Sequence, residues 1–165
     1  AADALPPAMV ARPLQPVGYA LVASPAYLQS RPPITQPQDL LAHPCMSLGY
    51  GPFQNLVELV PADAPTAVAT KLRLNTPITI ASSQGLLNAL QHGAASGIAL
   101  MADFVARSHL ADGRLVQVLP HWQLAGSYAP RMAYALHAPG PHIPPKLRAM
   151  LDYLQSQNAS ASASA

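Results

Sequence analysis

The chain of 165 residues contains one cysteine, Cys45, so no intrachain disulfide can staple the fold. A lone thiol agrees with a reducing compartment, and the expected location is the cytoplasm. Charge is also scarce: Asp, Glu, Lys and Arg make up 10% of the residues, against about a quarter in an ordinary soluble domain. The nine basic residues against seven acidic ones give a net charge of +2, and the basic residues are scattered, with no run and no aromatic interleaving. This stretch therefore lacks the electrostatic footprint of a nucleic-acid-binding surface. No apolar run approaches the roughly 18 to 20 residues of a membrane span, and the first residues form neither a basic n-region nor an apolar h-region.

Patterns that carry chemistry are missing as well. The six histidines (His43, His92, His109, His121, His137 and His142) show no metal-ligand spacing, and Cys45 pairs in sequence only with His43. Ser24, Ser47 and Ser83 lack the G-x-S-x-G elbow of a hydrolase nucleophile, and no acid is grouped with a histidine as a triad would require. Gly49 and Gly51 precede no Lys-Ser/Thr pair and read as a turn, not as a phosphate cradle. The chain is therefore expected to be no enzyme and to use no metal or cofactor.

What is present is a core-forming composition, 50% hydrophobic, in a length near the mode for one domain. Nineteen prolines, about twice the usual share, cluster in connections such as Pro32-Pro33 and residues 141–145. Strands are expected near 10–14, 18–23, 45–49 and 56–60, with helices near 25–30 and 37–43. Residues 70–82 alternate and are rich in β-branched side chains, and Asn75-Thr76-Pro77 bends them into two strands or one broken strand. Leu86, Leu87 and Leu90 then recur at helical spacing behind an N-cap at Ser82 or Ser83, in a helix ending near His92-Gly93. A buried strand at 97–101, a helix at 103–110 stopped by Gly113, and strands at 115–119 and 132–137 follow. Trp122, the only tryptophan, reads as a packing anchor just beyond a strand end. Pro144-Pro145 opens a last helix whose Leu147, Met150, Leu151 and Leu154 fall on one face. The stretch from Ser156 is low-complexity and is expected to be disordered. Strand and helix alternate throughout, which predicts an α/β layered domain with a mixed or parallel sheet.

Two blocks narrow that class. Residues 22–48, VASPAYLQSRPPITQPQDLLAHPCMSL, and residues 97–123, GIALMADFVARSHLADGRLVQVLPHWQ, resemble in order and spacing the effector-binding domains of LysR-type bacterial transcription regulators. The resemblance covers roughly residues 9–154 and begins in the middle of that domain. It implies a type-II periplasmic-binding-protein-like fold, with two α/β lobes joined by crossover strands around a ligand cleft. Carried onto this chain, residues 1–19 are a remnant of the first lobe and a crossover strand, and 20–125 are the complete second lobe. Residues 126–155 are then the return crossover and C-terminal helix of the first lobe, and 156–165 the disordered tail. The winged helix-turn-helix and the first half of lobe one have no counterpart here, so the sequence reads as a fragment of a longer regulator.

The resemblance also implies a site. The loop after a second-lobe strand, with Tyr50, Gly51, Pro52, Phe53 and Asn55, lies where relatives line the effector cleft, although a hairpin turn with Phe53 in the core explains it equally. Ser82, Ser83 and Gln84 begin a helix whose N-terminus points at the cleft in relatives, where free N–H groups and the helix dipole suit a carboxylate; plain N-capping explains the serines too. Two departures touch this region: Met101-Ala102 stands where the family has Leu-Pro, and residues 93–96 are longer than the usual Ala-Gly-Leu. The implied function is effector sensing by a homodimer or tetramer that meets DNA only through a helix-turn-helix outside this chain. A solute-binding protein of a transporter shares the fold and is the alternative.

Overall fold

The structure is a computed structural model that describes residues 9–91, 96–140 and 144–162. The chain forms two compact units, a larger one spanning Gly18–Pro130 and a smaller one built from the chain on either side of it.

The larger unit holds a five-stranded and a three-stranded sheet. The five-stranded sheet has the order β6-β3-β7-β2-β8, where β2 is Tyr19–Ala23, β3 Cys45–Ser47, β6 Ile78–Thr79, β7 Ile98–Ala102 and β8 Val116–Gln117. Strand β3 runs parallel to both β6 and β7, while β2 is antiparallel to β7 and to β8. The central strands β7 and β2 are nearly unbroken apolar runs, IALMA and YALVA, as strands covered on both faces must be. Helices α1 (Pro25–Gln29), α2 (Ser83–Gln91) and α3 (Asp103–Ala111) belong to the same unit. Leu86, Leu87 and Leu90 bury the inner face of α2, in keeping with their helical spacing. The second sheet, β5-β4-β9, joins Thr70–Arg73, Leu56–Pro61 and Trp122–Ala125, all antiparallel.

Several details differ from the sequence reading. Residues 37–42 form a 3₁₀ helix, not an α-helix. Asp39 accepts the backbone N–H groups of Thr35 and Gln36, at 2.8 and 3.0 Å, and these bonds hold its carboxyl below the usual carboxylate range. Pro37 opens the turn at its first position, where its missing N–H costs no intrahelical bond. The 70–82 segment follows the two-strand alternative of the sequence, and its strands enter different sheets. Trp122 lies inside β9, partly buried against the core. The proposed helix end at His92-Gly93 falls outside the described residues.

The smaller unit pairs β1 (Val10–Val17) antiparallel with β10 (Arg131–His137), with an irregularity between Pro13 and Pro16, where proline removes ladder donors. Helix α4 (Pro145–Ser162) follows, with Leu151 buried. It runs past Ser156, where disorder is expected from composition. Once a helix is nucleated each further residue adds a backbone hydrogen bond at little cost, so α4 extends through Ser162. No helix among the described residues is long and apolar enough to cross a membrane.

Candidate functional site

The parallel strands β6, β3 and β7 finish at the same edge of the five-stranded sheet, and in open α/β sheets ligands bind at such carboxyl ends. The local chain is built tightly there. Ile80 N–H donates to Ser47 O at 3.0 Å, tying the exit of β6 to that of β3. Gly49, at φ 64°, presses its Cα face on β6: a Cβ at this position would lie 2.6 Å from Thr79 Cβ. Only glycine meets both demands, the left-handed backbone and the close approach.

Beyond Gly49 the chain turns, with Phe53 N–H donating to Tyr50 O at 3.0 Å, and delivers Phe53 into an aromatic cluster. The Phe53 ring lies 5.0 Å from Tyr19, 5.2 Å from Tyr128 and 5.2 Å from Tyr50, in tilted or edge-on arrangements that suit the ring quadrupoles. Tyr19 and Tyr128 meet edge to face at 5.6 Å. The Tyr128 hydroxyl donates to Gln54 O at 3.1 Å and so fastens the loop from below. Burial pushes the Tyr128 phenol up to about 12. The Ser47 hydroxyl beside it opposes that shift without reaching full hydrogen-bond geometry. Phe53 is therefore a core residue, while Tyr50, 47% exposed, presents its ring to solvent on a rigid support. Gly51 and Pro52 are exposed, and Asn55 is half-buried, its Oδ1 accepting from Arg73 at 3.3 Å.

Helix α2 starts at the same edge. Ser82 acts as its N-cap: its carbonyl accepts Leu86 N–H at 3.0 Å and its Oγ accepts Gly85 N–H at 3.3 Å. The Ser83 Oγ accepts the N–H of Ala102, at the end of β7, at 3.0 Å. Ala102 is the residue that stands where the family pattern has proline, and proline could not make this bond. Ala102 is also the register partner of Tyr19, so the bond links the start of α2 to the aromatic cluster. The Gln84 side chain turns along the helix to Asn88 at 3.2 Å. The first turn of α2 contains no acidic residue. That of α3 does: Asp103 accepts the Phe104 N–H at 2.7 Å and fills its own helix start. Among the described residues the N–H groups of Ser83 and Gln84 have no acceptor, as the opening geometry of a helix dictates.

The structure thus brings the exit of β3, with Gly49 and Tyr50, and the start of α2 to one strand edge. The aromatic partnership of Tyr19 and Tyr128 is not legible in the sequence, because their positions are far apart in the chain and no periodic pattern joins them. Among the described residues no group of three His, Cys, Asp or Glu side chains is placed to hold a metal. Cys45 is fully buried, and burial alone pushes its thiol up to about 12.

The LysR substrate binding domain matches residues 1–159, so the chain belongs to that family. It is 35% identical over 155 residues to the probable HTH-type transcriptional regulator LtrA of Klebsiella pneumoniae, covering 92% of this chain and 47% of that protein. It is 30% identical over 138 residues to the HTH-type transcriptional regulator PtxR of Pseudomonas aeruginosa, covering 81% of this chain and 40% of the relative. The chain therefore spans about half the length of these curated relatives or less. Among solved structures, the full-length Vibrio cholerae virulence activator AphB matches with a TM-score of 0.74 at 28% identity, over 93% of this chain and 49% of that one. CrgA of Neisseria meningitidis, a LysR-type transcriptional regulator, shares the fold with a TM-score of 0.76 at 21% identity, over 94% of this chain and 49% of its own. The fold is the type-II periplasmic-binding-protein-like fold of LysR regulatory domains, and the chain is a LysR-type effector-binding domain.

Proposed function

We propose that the larger unit is the second lobe of the effector domain and that it holds a small acidic effector at the C-terminal edge of β6, β3 and β7. The smaller unit is then the returning part of the first lobe. The observation that carries this reading is the start of α2: two N–H groups without acceptors, two serine hydroxyls still able to donate, and no acidic side chain in the first turn. A carboxylate there gains charge-assisted hydrogen bonds and the positive end of the helix dipole, worth roughly half an elementary charge. Tyr50, Gly51, Pro52 and Asn55 face the rest of the effector, and Phe53 supports Tyr50 from the core.

The domain does no chemistry. It acts in the cytoplasm by population shift, in which an effector biases one arrangement of a homo-oligomer by its differential affinity, a coupling of about 1 to 3 kcal/mol. DNA is contacted by a helix-turn-helix outside these residues.

Calorimetric titration of a panel of aromatic and aliphatic acids tests the reading. Replacing both serines by alanine is expected to weaken acid binding by about 1 to 3 kcal/mol. Ala102→Pro is the control, since it removes the Ala102–Ser83 bond while keeping the Ser83 hydroxyl. Acids should bind this variant as tightly as wild type. Equal affinities for all three proteins, with lower melting temperatures for the serine variant, would reduce the serines to helix caps.

A further inference from the structure

At the opposite end of the five-stranded sheet, where β2 finishes at Ala23, a second concavity opens beside α1. One part, about 450 Å³, is lined chiefly by Pro25, Leu90, Leu115 and Arg114. The other, about 470 Å³, is lined by Tyr27, Ser30, Arg31 and Ser96. Both parts share Ser24, Ala26, Leu90 and Gln91, so they form one continuous cleft with an apolar half and a polar half.

The lining has a one-sided chemistry. Among the described residues it contains two arginines and no Asp or Glu. Arg114 is engaged with Asp112, but Arg31 has no carboxylate partner among the described residues; its guanidinium sits 5.7 Å from the centre of the Tyr27 ring. The floor under it is fixed. Tyr27 is buried, its hydroxyl is hydrogen-bonded to the equally buried His43 Nδ1 at 2.7 Å, and its backbone is held by Ser24 and Ser30. The Ser24 Oγ accepts the Tyr27 N–H and keeps its own hydrogen to donate. A cation and a hydroxyl donor beside an apolar slot suit a ligand with a charged head and a hydrocarbon body.

We propose that this cleft is a second small-molecule site, and that it takes a monocarboxylate with a short apolar body: the carboxylate on Arg31 and Ser24, the body against Pro25, Leu90 and Leu115. The five residues of β2 separate it from the edge where α2 begins, about 15 Å at strand rise, so the two sites can be occupied together.

Hexanoate is the probe, followed by amide chemical shifts of the ¹⁵N-labelled chain. Saturable shifts are expected at Ala26, Gln91 and Leu115, with a dissociation constant on the order of 1 mM. Arg31→Glu, at an exposed position, should weaken this binding at least about tenfold. Ala26→Trp, also exposed, should block it by filling the cleft. The double replacement of Ser82 and Ser83 by alanine should leave it unchanged. Hexanamide and inorganic phosphate, which lack the charge and the hydrocarbon body respectively, should bind far more weakly. The proposal fails if hexanoate leaves these amides unmoved, if Arg31→Glu binds it as wild type does, or if phosphate or hexanamide matches it. Shifts confined to Ser83 and Gln84 would reject this cleft and leave the α2 site standing.

Discussion

At the scale of single residues, the contribution of the bond between Ala102 and Ser83 can be measured. Ala102 has φ −62°, already the proline value, so Ala102→Pro costs one hydrogen bond of about 0.5 to 1.5 kcal/mol and regains about 0.4 to 1 kcal/mol through a stiffer unfolded chain. Its stability should therefore stay close to that of wild type. Ser83→Ala should cost about 1 kcal/mol in the wild-type background and nothing in the proline background, and a double-mutant cycle by urea unfolding reads the difference. Additivity of the two changes would mean that the bond contributes no stability. Two buried acids predict alkaline behaviour. The Cys45 thiol moves from an ordinary 9.0 to about 12 and the Tyr128 phenol from 10.0 to about 12, so the fold favours both neutral forms. The unfolded chain loses these protons first; the stabilisation is complete below pH 9 and is lost as the pH rises toward about 12. Unfolding midpoints should fall across that window, less steeply in Tyr128→Phe, and Cys45 should resist thiol reagents until the protein unfolds. Residue roles of this kind were half legible: a serine pair before a helical pattern predicts a cap, but nothing in sequence tells that one hydroxyl reaches nineteen positions on to Ala102.

Elements were more legible where burial is two-sided or strongly periodic. The runs YALVA and IALMA announce central strands, and the Leu86, Leu87, Leu90 spacing announces α2, because each pattern is the burial requirement itself. Strand β9 was missed because Trp122–Ala125 is short and closely follows Pro120, and its identity comes from pairing with β4, a partner about sixty positions upstream. Composition alone does not reveal that α4 extends to Ser162, because propagation from an already nucleated helix carries it past Ser156. For the candidate site, the decisive element is the turn after β3, whose two left-handed glycines separate two costs. Gly51, at φ 53°, has nothing within 4 Å of an added Cβ, so Gly51→Ala should lose only the backbone preference, about 1 to 2 kcal/mol. Gly49→Ala meets the same preference plus the Thr79 side chain, and should lose clearly more. Thermal or urea unfolding ranks the two, and equal losses would show that the turn can lift off β6.

At the scale of the whole molecule, the smaller unit presents a stripe that water disfavours. Met132, Tyr134 and Leu136 alternate outward on β10, and Met150 and Tyr153 are exposed on α4. A two-stranded ribbon is marginal alone in water, so association that covers this stripe adds stability. Sedimentation equilibrium should show concentration-dependent self-association that Leu136→Glu weakens, with melting temperatures that fall on dilution; a monomer indifferent to concentration would mean the stripe needs no cover. The same scale decides what this chain does with DNA. A specific complex needs a reading element in a groove and a cluster of cations that releases counterions, and each phosphate contact adds nearly one unit to the salt slope. Nine lysines and arginines offset by seven acids, spread over 165 residues, supply neither. In a gel-shift the chain should retain duplex DNA weakly, without preference for sequence, and lose it between about 50 and 200 mM salt. Sequence-specific retention that survives the higher salt would place DNA recognition within these residues and overturn the proposal that DNA is contacted only outside them.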